Sequence, residues 1–178
     1  MEENKKSYTF SVQMTVKEVF RFSIHHSYCK ASGIIGLLMS VISMVVLLAC
    51  FHDLGDREKA VFLIVALWFT ILEPLTIYTR AKGQAKRNPT YKKPLNYTLD
   101  QEGITVSQDE QSQSIAWNQL MKIVETKTQY LVYSSKVHAF VFPKSSLGDS
   151  REEIKQFMIA STRDFPVKRS RSMIYYII

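Results

Sequence analysis

The hydrophobic positions form two long runs in the first half of the chain. The first extends from Ala31 to Phe51 without a charge, and the second extends from Ala60 to Tyr78, interrupted only at Glu73-Pro74. A helix rises about 1.5 Å per residue, so about 20 residues cross the hydrocarbon core of a bilayer. The runs predict a transmembrane hairpin. The alternative, a buried hairpin in a soluble protein, is less favoured because the remaining polypeptide is too small to cover both helices.

A shorter pattern precedes the first run. Tyr8, Phe10 and Val12 alternate with polar residues, which is typical of a half-buried strand. Thr15-Val-Lys-Glu18 then matches a capping box and is followed by apolar residues at helical spacing, so an amphipathic helix is expected to lead into the first span. Because an isolated strand has no partner, the strand is expected to join a sheet formed later in the chain.

From Leu95 the apolar period changes to two. Polar turns at 100–103 and 109–113 separate the strands, and the alternation continues to Pro143, which predicts about six short antiparallel strands. Ser150-Arg-Glu-Glu153 is a second capping box. The stripe that follows, Ile154, Phe157 and Met158, predicts a helix that closes one face or end of the sheet.

The formal net charge of +7 comes mainly from the segment directly after the second run, where six cations occur without an acid. Lys and Arg near span ends favour the cytoplasmic side, so both termini are expected inside and the loop 52–59 outside. The same cations are candidates for contact with anionic lipid headgroups. A nucleic-acid partner is not expected, because the excess of positive charge lies next to a predicted span and is not spread over the surface of a domain. The six residues are Arg80, Lys82, Lys86, Arg87, Lys92 and Lys93.

The sequence offers little candidate chemistry. It contains no phosphate-binding loop, no nucleophile elbow and no metal-binding His or Cys motif, so no catalytic, cofactor-binding or metal-binding residue is predicted. We expect a protein that is not an enzyme. Cys29 and Cys50 lie at opposite ends of the first run, which is too far apart for a disulfide within one chain.

Glu73 is the candidate intramembrane polar site. An acid within a span is costly and tends to face protein or water, as in a proton or ion pathway. The alternative is that its carboxylate reaches the cytoplasmic interface or accepts from Arg80, while Pro74 bends the helix and frees a carbonyl that neighbours can satisfy. Trp68, in the middle of the second run, is expected to be a packing residue and not an anchor in an aromatic belt. Small residues such as Gly36 offer close approach within the hairpin or between two copies.

Several of these elements together resemble the YcxB-like family of small bacterial membrane proteins. The resemblance covers the leader from Tyr8 to Phe22, the paired spans and the strands that follow, and it implies a cytoplasmic sheet similar to bacterial pleckstrin-homology-like domains. It implies no catalytic residue. The motifs that carry it are Tyr97-Thr-Leu-Asp-Gln-Glu-Gly-Ile-Thr-Val106, Ser114-Ile-Ala-Trp117, Ile123-Val-Glu-Thr126, Tyr130-Leu-Val-Tyr133 and Ala139-Phe-Val-Phe-Pro-Lys144.

The expected fold class is an α+β membrane protein in which a transmembrane hairpin precedes a small antiparallel sheet with a C-terminal helix. We expect a multi-pass protein of the bacterial cell membrane that acts as a scaffold, sensor or modulator and binds a protein partner. The alternative is a transport or immunity subunit that uses Glu73 and oligomerised hairpins. The predicted segments are 1–30 (strand and amphipathic helix), 31–79 (hairpin, with spans of about 31–51 and 60–78), 80–94 (basic linker), 95–165 (YcxB-like domain) and 166–178 (basic and apolar tail).

Overall fold

The computed structural model describes residues 6–171, without the side chain of Arg171; the apolar end of the predicted tail lies outside the described residues. The helices are α1 (Val16–Tyr28), α2 (Ala31–Ala49), α3 (Asp56–Leu67), a π-helical segment (Trp68–Leu72), α4 (Glu73–Arg87) and α5 (Arg151–Ser161). The strands are β1 (Tyr8–Val12), β2 (Leu95–Leu99), β3 (Gly103–Gln108), β4 (Gln111–Ala116), β5 (Lys122–Glu125), β6 (Gln129–Tyr133), β7 (Ala139–Pro143) and β8 (Lys168–Arg171).

The chain divides into two units. The helical unit extends from Val19 to Gln84, and the sheet unit contains the segment up to Glu18 and the chain from Ala85 onward. Each unit has its own packing.

The helical unit contains most of α1 and two long antiparallel helices, and close contacts hold the two long helices together. A Cβ atom on Gly36 of α2 would lie 2.2 Å from the ring of Phe69, so only glycine allows this approach. About one turn further along α2, the Ser40 hydroxyl donates a hydrogen bond of 2.8 Å to the Val65 carbonyl. These contacts favour a packing role within the hairpin for the small residues of α2.

Both long helices are sufficiently long and apolar to cross a bilayer. The second extends without a break from Asp56 to Arg87, beyond the predicted span at both ends. At its start the Gly55 amide donates to the Glu58 carboxylate at 2.9 Å, which caps the helix before the apolar run begins. At its end no helix breaker occurs before Pro89, so the first half of the predicted linker 80–94 is helical.

Within the described residues the sheet unit contains two four-stranded sheets, where the sequence predicted one. The first has the order β1-β2-β3-β4, and all of its pairs are antiparallel. The leader strand pairs with β2 so that Phe10 lies opposite Tyr97, which confirms the prediction that it joins the sheet. The rings of these two residues stack with centroids 5.7 Å apart.

The second sheet has the order β7-β6-β5-β8. Its first three strands are antiparallel, but β8 from the predicted tail lies parallel to β5, with Lys168 opposite Lys122. The described part of the predicted tail therefore pairs with the sheet. The α+β class is confirmed, with antiparallel sheets, two long apolar helices and a C-terminal helix.

Aromatic side chains from both sheets form the core of the sheet unit. Phe142 of β7 meets Phe10 and Tyr97 edge-on, with ring centroids 5.1 Å and 4.9 Å apart. Trp117 is 2% exposed, and its indole N–H donates to the Asp100 carbonyl at 2.8 Å. The Phe157 ring of α5 contacts Trp117 at a centroid distance of 6.1 Å, so the helix closes this end of the core as the sequence predicted.

Two local details differ from the sequence prediction. The second turn contains two residues instead of five, because Asp109 adopts a left-handed φ of 51° and lets β4 begin at Gln111. Asp tolerates this conformation better than most residues. Ser150 lies at the start of α5, but its side chain makes no capping hydrogen bond, so that predicted capping box does not form.

Candidate functional site

The π-helical turn before Glu73 leaves one backbone carbonyl without a helical partner. The Glu73 amide donates to the Trp68 carbonyl, five residues back. In the same pattern the amide of residue 74 would donate to the Phe69 carbonyl, but this residue is Pro74, which has no N–H. The Tyr28 hydroxyl donates to that carbonyl instead. The structure thus agrees with the prediction that Pro74 frees a carbonyl for a neighbour, although the π turn changes which one is free.

A cavity of about 260 Å³ opens beside this turn, within the helical unit. We call it the Glu73 cavity. Gly33 makes it possible for the first turn of α2 to lie against the end of α1, because a Cβ atom there would be 2.1 Å from the Ser27 carbonyl oxygen. The lining residues are Ser27, Tyr28, Lys30, Ser32, Gly33, Phe69 and Glu73.

The charged groups of the Glu73 cavity are not neutralised by direct contacts. Glu73 is half-buried, and within residues 6–171 its carboxylate makes no hydrogen bond or ion pair. The proposed interaction with Arg80 is not formed, since Arg80 is exposed and the same described contacts contain no ion pair between them. Lys30 supplies the other charge, and it is exposed at the edge of the cavity.

The Glu73 cavity lies at the end of the hairpin at which α2 begins. Lys30 and Gly33 flank the first turn of α2. Ser40, which contacts Val65, lies about 14 Å along the helix from the first residue of α2. Glu73 is therefore level with the start of the first apolar helix and not with its middle. Trp68, about one turn earlier, is 50% exposed in the single chain, and its packing role stays a prediction.

The six cations predicted to contact lipid are not brought to the Glu73 cavity. Arg80, Lys82, Lys86 and Arg87 lie on α4 and are exposed. Lys92 and Lys93 follow a short 3₁₀ turn, and the Lys93 ammonium pairs with Asp109 at 2.7 Å. Both side chains of that ion pair are more than half exposed, so the pair contributes little to the stability of the fold. The lipid contacts stay a prediction.

A second charged cluster lies in the sheet unit and was missed by the sequence analysis. The Glu125 carboxylate is 2.8 Å from the Lys144 ammonium and 3.4 Å from that of Lys155. These side chains are only 13%, 14% and 20% exposed, respectively. The period of two could have revealed it, because Glu125 shares a strand face with the buried Ile123.

The electrostatics of this cluster hold Glu125 in its charged form. Burial alone would raise the pKa of the Glu125 carboxyl, but hydrogen bonds and charges from Lys144 and Lys155 outweigh burial and lower the pKa below its usual value. A carboxylate with a lowered pKa is a weak proton acceptor at neutral pH. The arrangement therefore favours a structural ion pair beside a cavity of about 220 Å³, which Tyr130 and Arg169 also line.

Comparison with known proteins finds a match within the sheet unit. Residues 99–158 match the family model described as YcxB-like protein. A relative from Bacillus subtilis (strain 168), described as "Uncharacterized protein YcxB", is 27% identical over 100 residues, which is 56% of this chain and 54% of that protein. The chain thus spans about half the length of this curated relative. No solved structure matches the chain.

These matches confirm the resemblance to the YcxB-like family. The family-model match begins at the last residue of β2 and ends within α5, so it contains most of both sheets but neither apolar helix. The Glu73 cavity lies outside the matched residues, whereas Glu125 and Lys144 lie within them. With no matching solved structure, the similarity to pleckstrin-homology-like domains stays a prediction.

The hydrogen bond to the Phe69 carbonyl can be tested with a double-mutant cycle. Tyr28→Phe should reduce the free energy of unfolding by about 1–3 kcal/mol, because the carbonyl loses its donor. In a Pro74→Ala background the new N–H can serve the carbonyl, so the same change should cost clearly less. Thermal unfolding of the detergent-solubilised chain would measure both. Tyr78→Phe, at an exposed tyrosine of α4, is the control; an equal Tyr28→Phe cost in both backgrounds would contradict the assignment.

The ion-pair cluster predicts a dependence of stability on pH. A lowered folded-state pKa means that Glu125 stabilises the fold above its usual value of 4.5 and loses this contribution as the pH falls through the folded value. Glu125→Gln should therefore cost about 2 kcal/mol at pH 7 and progressively less below about pH 4.5. Unfolding at a series of pH values, with the exposed Glu110→Gln as control, tests this. A cost that does not change with pH would refute it.

Proposed function

We propose that this protein is a non-enzymatic, membrane-anchored scaffold, sensor or modulator that presents its sheet unit to the cytoplasm. The observation that carries the proposal is the outward-facing apolar surface of the two long helices. Only 22% of the apolar window of α2 and 11% of that of the second helix are buried. Side chains such as Ile35, Leu38 and Leu48 are 59%, 56% and 72% exposed.

Exposure of this kind distinguishes the hairpin from the core helices of a soluble protein, which are mostly buried. Contiguous apolar surface in water is strongly unfavourable and typically marks a membrane or protein contact. Acyl chains would remove this surface from water on all sides of the hairpin. The match to the YcxB-like family model supports a small protein of this kind, and the descriptions of the family and of the relative assign it no activity.

The proposed orientation depends on charge. The cations on α4 and in the segment after it would face the cytoplasm, together with the sheet unit, and the short loop around Asp53 would face outward. The exposed Trp68 supports a membrane boundary near the Glu73 cavity, because tryptophan favours the interface.

An exposed sheet edge supports the binding of a protein partner. Within the described residues β4 pairs with β3 on one side and lies at the end of the first sheet. Its residues from Gln111 to Ser114 are exposed and polar. An edge strand offers backbone donors and acceptors to an added strand, and it carries no Lys or Pro to prevent such pairing. The alternative transport role has less support, since the Glu73 cavity lies at one end of the hairpin.

The chain's two cysteines allow a direct test of anchoring and orientation. In the Cys29→Ser variant, Cys50 should react with a membrane-impermeant maleimide in right-side-out membrane vesicles, because it lies exposed at the outer end of α2. In the Cys50→Ser variant, Cys29 should react only in inside-out vesicles. Labelling of both cysteines from one side, or release of the protein by alkaline carbonate, would contradict the proposal.

Partner binding can be tested at the β4 edge. A photo-crosslinking amino acid at the exposed Gln113 should give a discrete adduct with a protein neighbour in intact cells. The same amino acid at Lys127, in the exposed turn between β5 and β6, is the control and should give none. Identical adducts at both positions, or none at either, would argue against strand addition at β4.

A further inference from the structure

We propose that the Glu73 cavity binds the headgroup of a zwitterionic phospholipid that carries a primary ammonium and a phosphate. The inference extends the proposed membrane anchoring and depends on it. It rests on four features of the cavity: its volume of about 260 Å³, a carboxylate, an ammonium and hydroxyl groups on its walls.

One wall of the cavity offers acceptors for an ammonium group. The Glu73 carboxylate is without a hydrogen bond or ion pair among the described residues. The Tyr28 hydroxyl donates its single hydrogen to the Phe69 carbonyl, so towards the cavity its oxygen can only accept. A primary ammonium has three N–H donors and can use all of these groups.

The residues from the first turn of α2 offer donors for a phosphate. Lys30 provides a positive charge at the edge of the cavity, and the Ser32 hydroxyl can donate beside it. Glu73 belongs to the second helix and Lys30 to the junction before α2, so the acid and the base come from different chain segments around one space. A ligand with both charges can satisfy both groups without moving the helices.

The surroundings of the cavity favour a lipid over a soluble compound with the same headgroup. Exposed apolar side chains of both helices, including Ile35 at 59% and Leu72 at 42%, continue from the cavity along the hairpin. Acyl chains attached to the phosphate can cover these residues. A soluble phosphoethanolamine makes only the polar contacts and must compete with water for them.

The charges also select among phospholipid headgroups. A trimethylated ammonium keeps the charge but has no N–H to donate to Glu73. An anionic headgroup without an amine brings a second negative charge close to the unpaired carboxylate, which is unfavourable. Phosphatidylethanolamine combines a donor-bearing cation with a phosphate, so it fits both ends of the Glu73 cavity.

The experiment titrates the full-length, delipidated protein in detergent with phosphatidylethanolamine, phosphatidylcholine or phosphatidylglycerol and measures bound lipid by native mass spectrometry. Phosphatidylethanolamine should bind about tenfold more tightly than the others, which corresponds to one charge-assisted hydrogen bond. Glu73→Gln should abolish this preference, and Lys30→Gln should weaken binding of all three lipids. Lys30→Arg should retain binding, and Asp53→Asn, at the other end of the hairpin, should change nothing.

Three results would overturn the inference: equal affinity for the three lipids, an unchanged preference in Glu73→Gln, or displacement of the lipid by millimolar soluble phosphoethanolamine. The last result would assign the Glu73 cavity to a soluble ligand. Carbonate extraction of each variant separates this outcome from failure of membrane anchoring. If anchoring itself is wrong, the unsubstituted protein is released by carbonate; if only the headgroup site is wrong, it stays in the membrane.

Discussion

The outward-facing apolar side chains of the two long helices are the constraint on which the other features depend. Inside the hairpin, small residues make close contacts between the helices: Gly36 contacts Phe69, and Ser40 contacts Val65. The apolar side chains on the outer surface of the hairpin have no such partner among the described residues. Each square ångström of apolar surface left in water costs about 25 cal/mol, and the exposed residues extend along both helices. The proposed hydrocarbon environment would remove this cost, and it would also determine the depth at which each polar group lies in the bilayer.

Depth changes the interpretation of Glu73. The sequence shows an acid within an apolar run, and from that pattern alone an ion pathway and an interfacial residue are both reasonable. The structure shows that Glu73 is level with the start of α2, because Glu73 shares a cavity with Lys30, which directly precedes the first residue of that helix. Sequence could predict that Pro74 frees a carbonyl, because the missing N–H is a local property. It could not predict Tyr28 as the donor, since that contact joins residues 41 positions apart.

The sheet unit shows the same division between local and long-range information. Alternation predicted the six strands from Leu95 to Pro143 and the leader strand, because each requires only a repeated pattern with one face in the core. It did not predict two sheets, since the division depends on which strands pair. Strand β8 was also not predictable: it has four mostly charged residues, and its parallel partner β5 lies far earlier in the chain.

The two charged clusters differ in a way that bears on function. Glu125 is surrounded by Lys144 and Lys155, so its charge is balanced within the protein and burial does not neutralise it. Glu73 and Lys30 line one cavity without a direct contact, and each remains able to bind a further group. A charged acid at the centre of a bilayer costs roughly 3 kcal/mol, and at its boundary considerably less, because the carboxylate keeps part of its hydration. If the Glu73 cavity lies at a membrane boundary, as we propose, its acid and base require water or a polar headgroup in the space between them, because they do not contact each other directly.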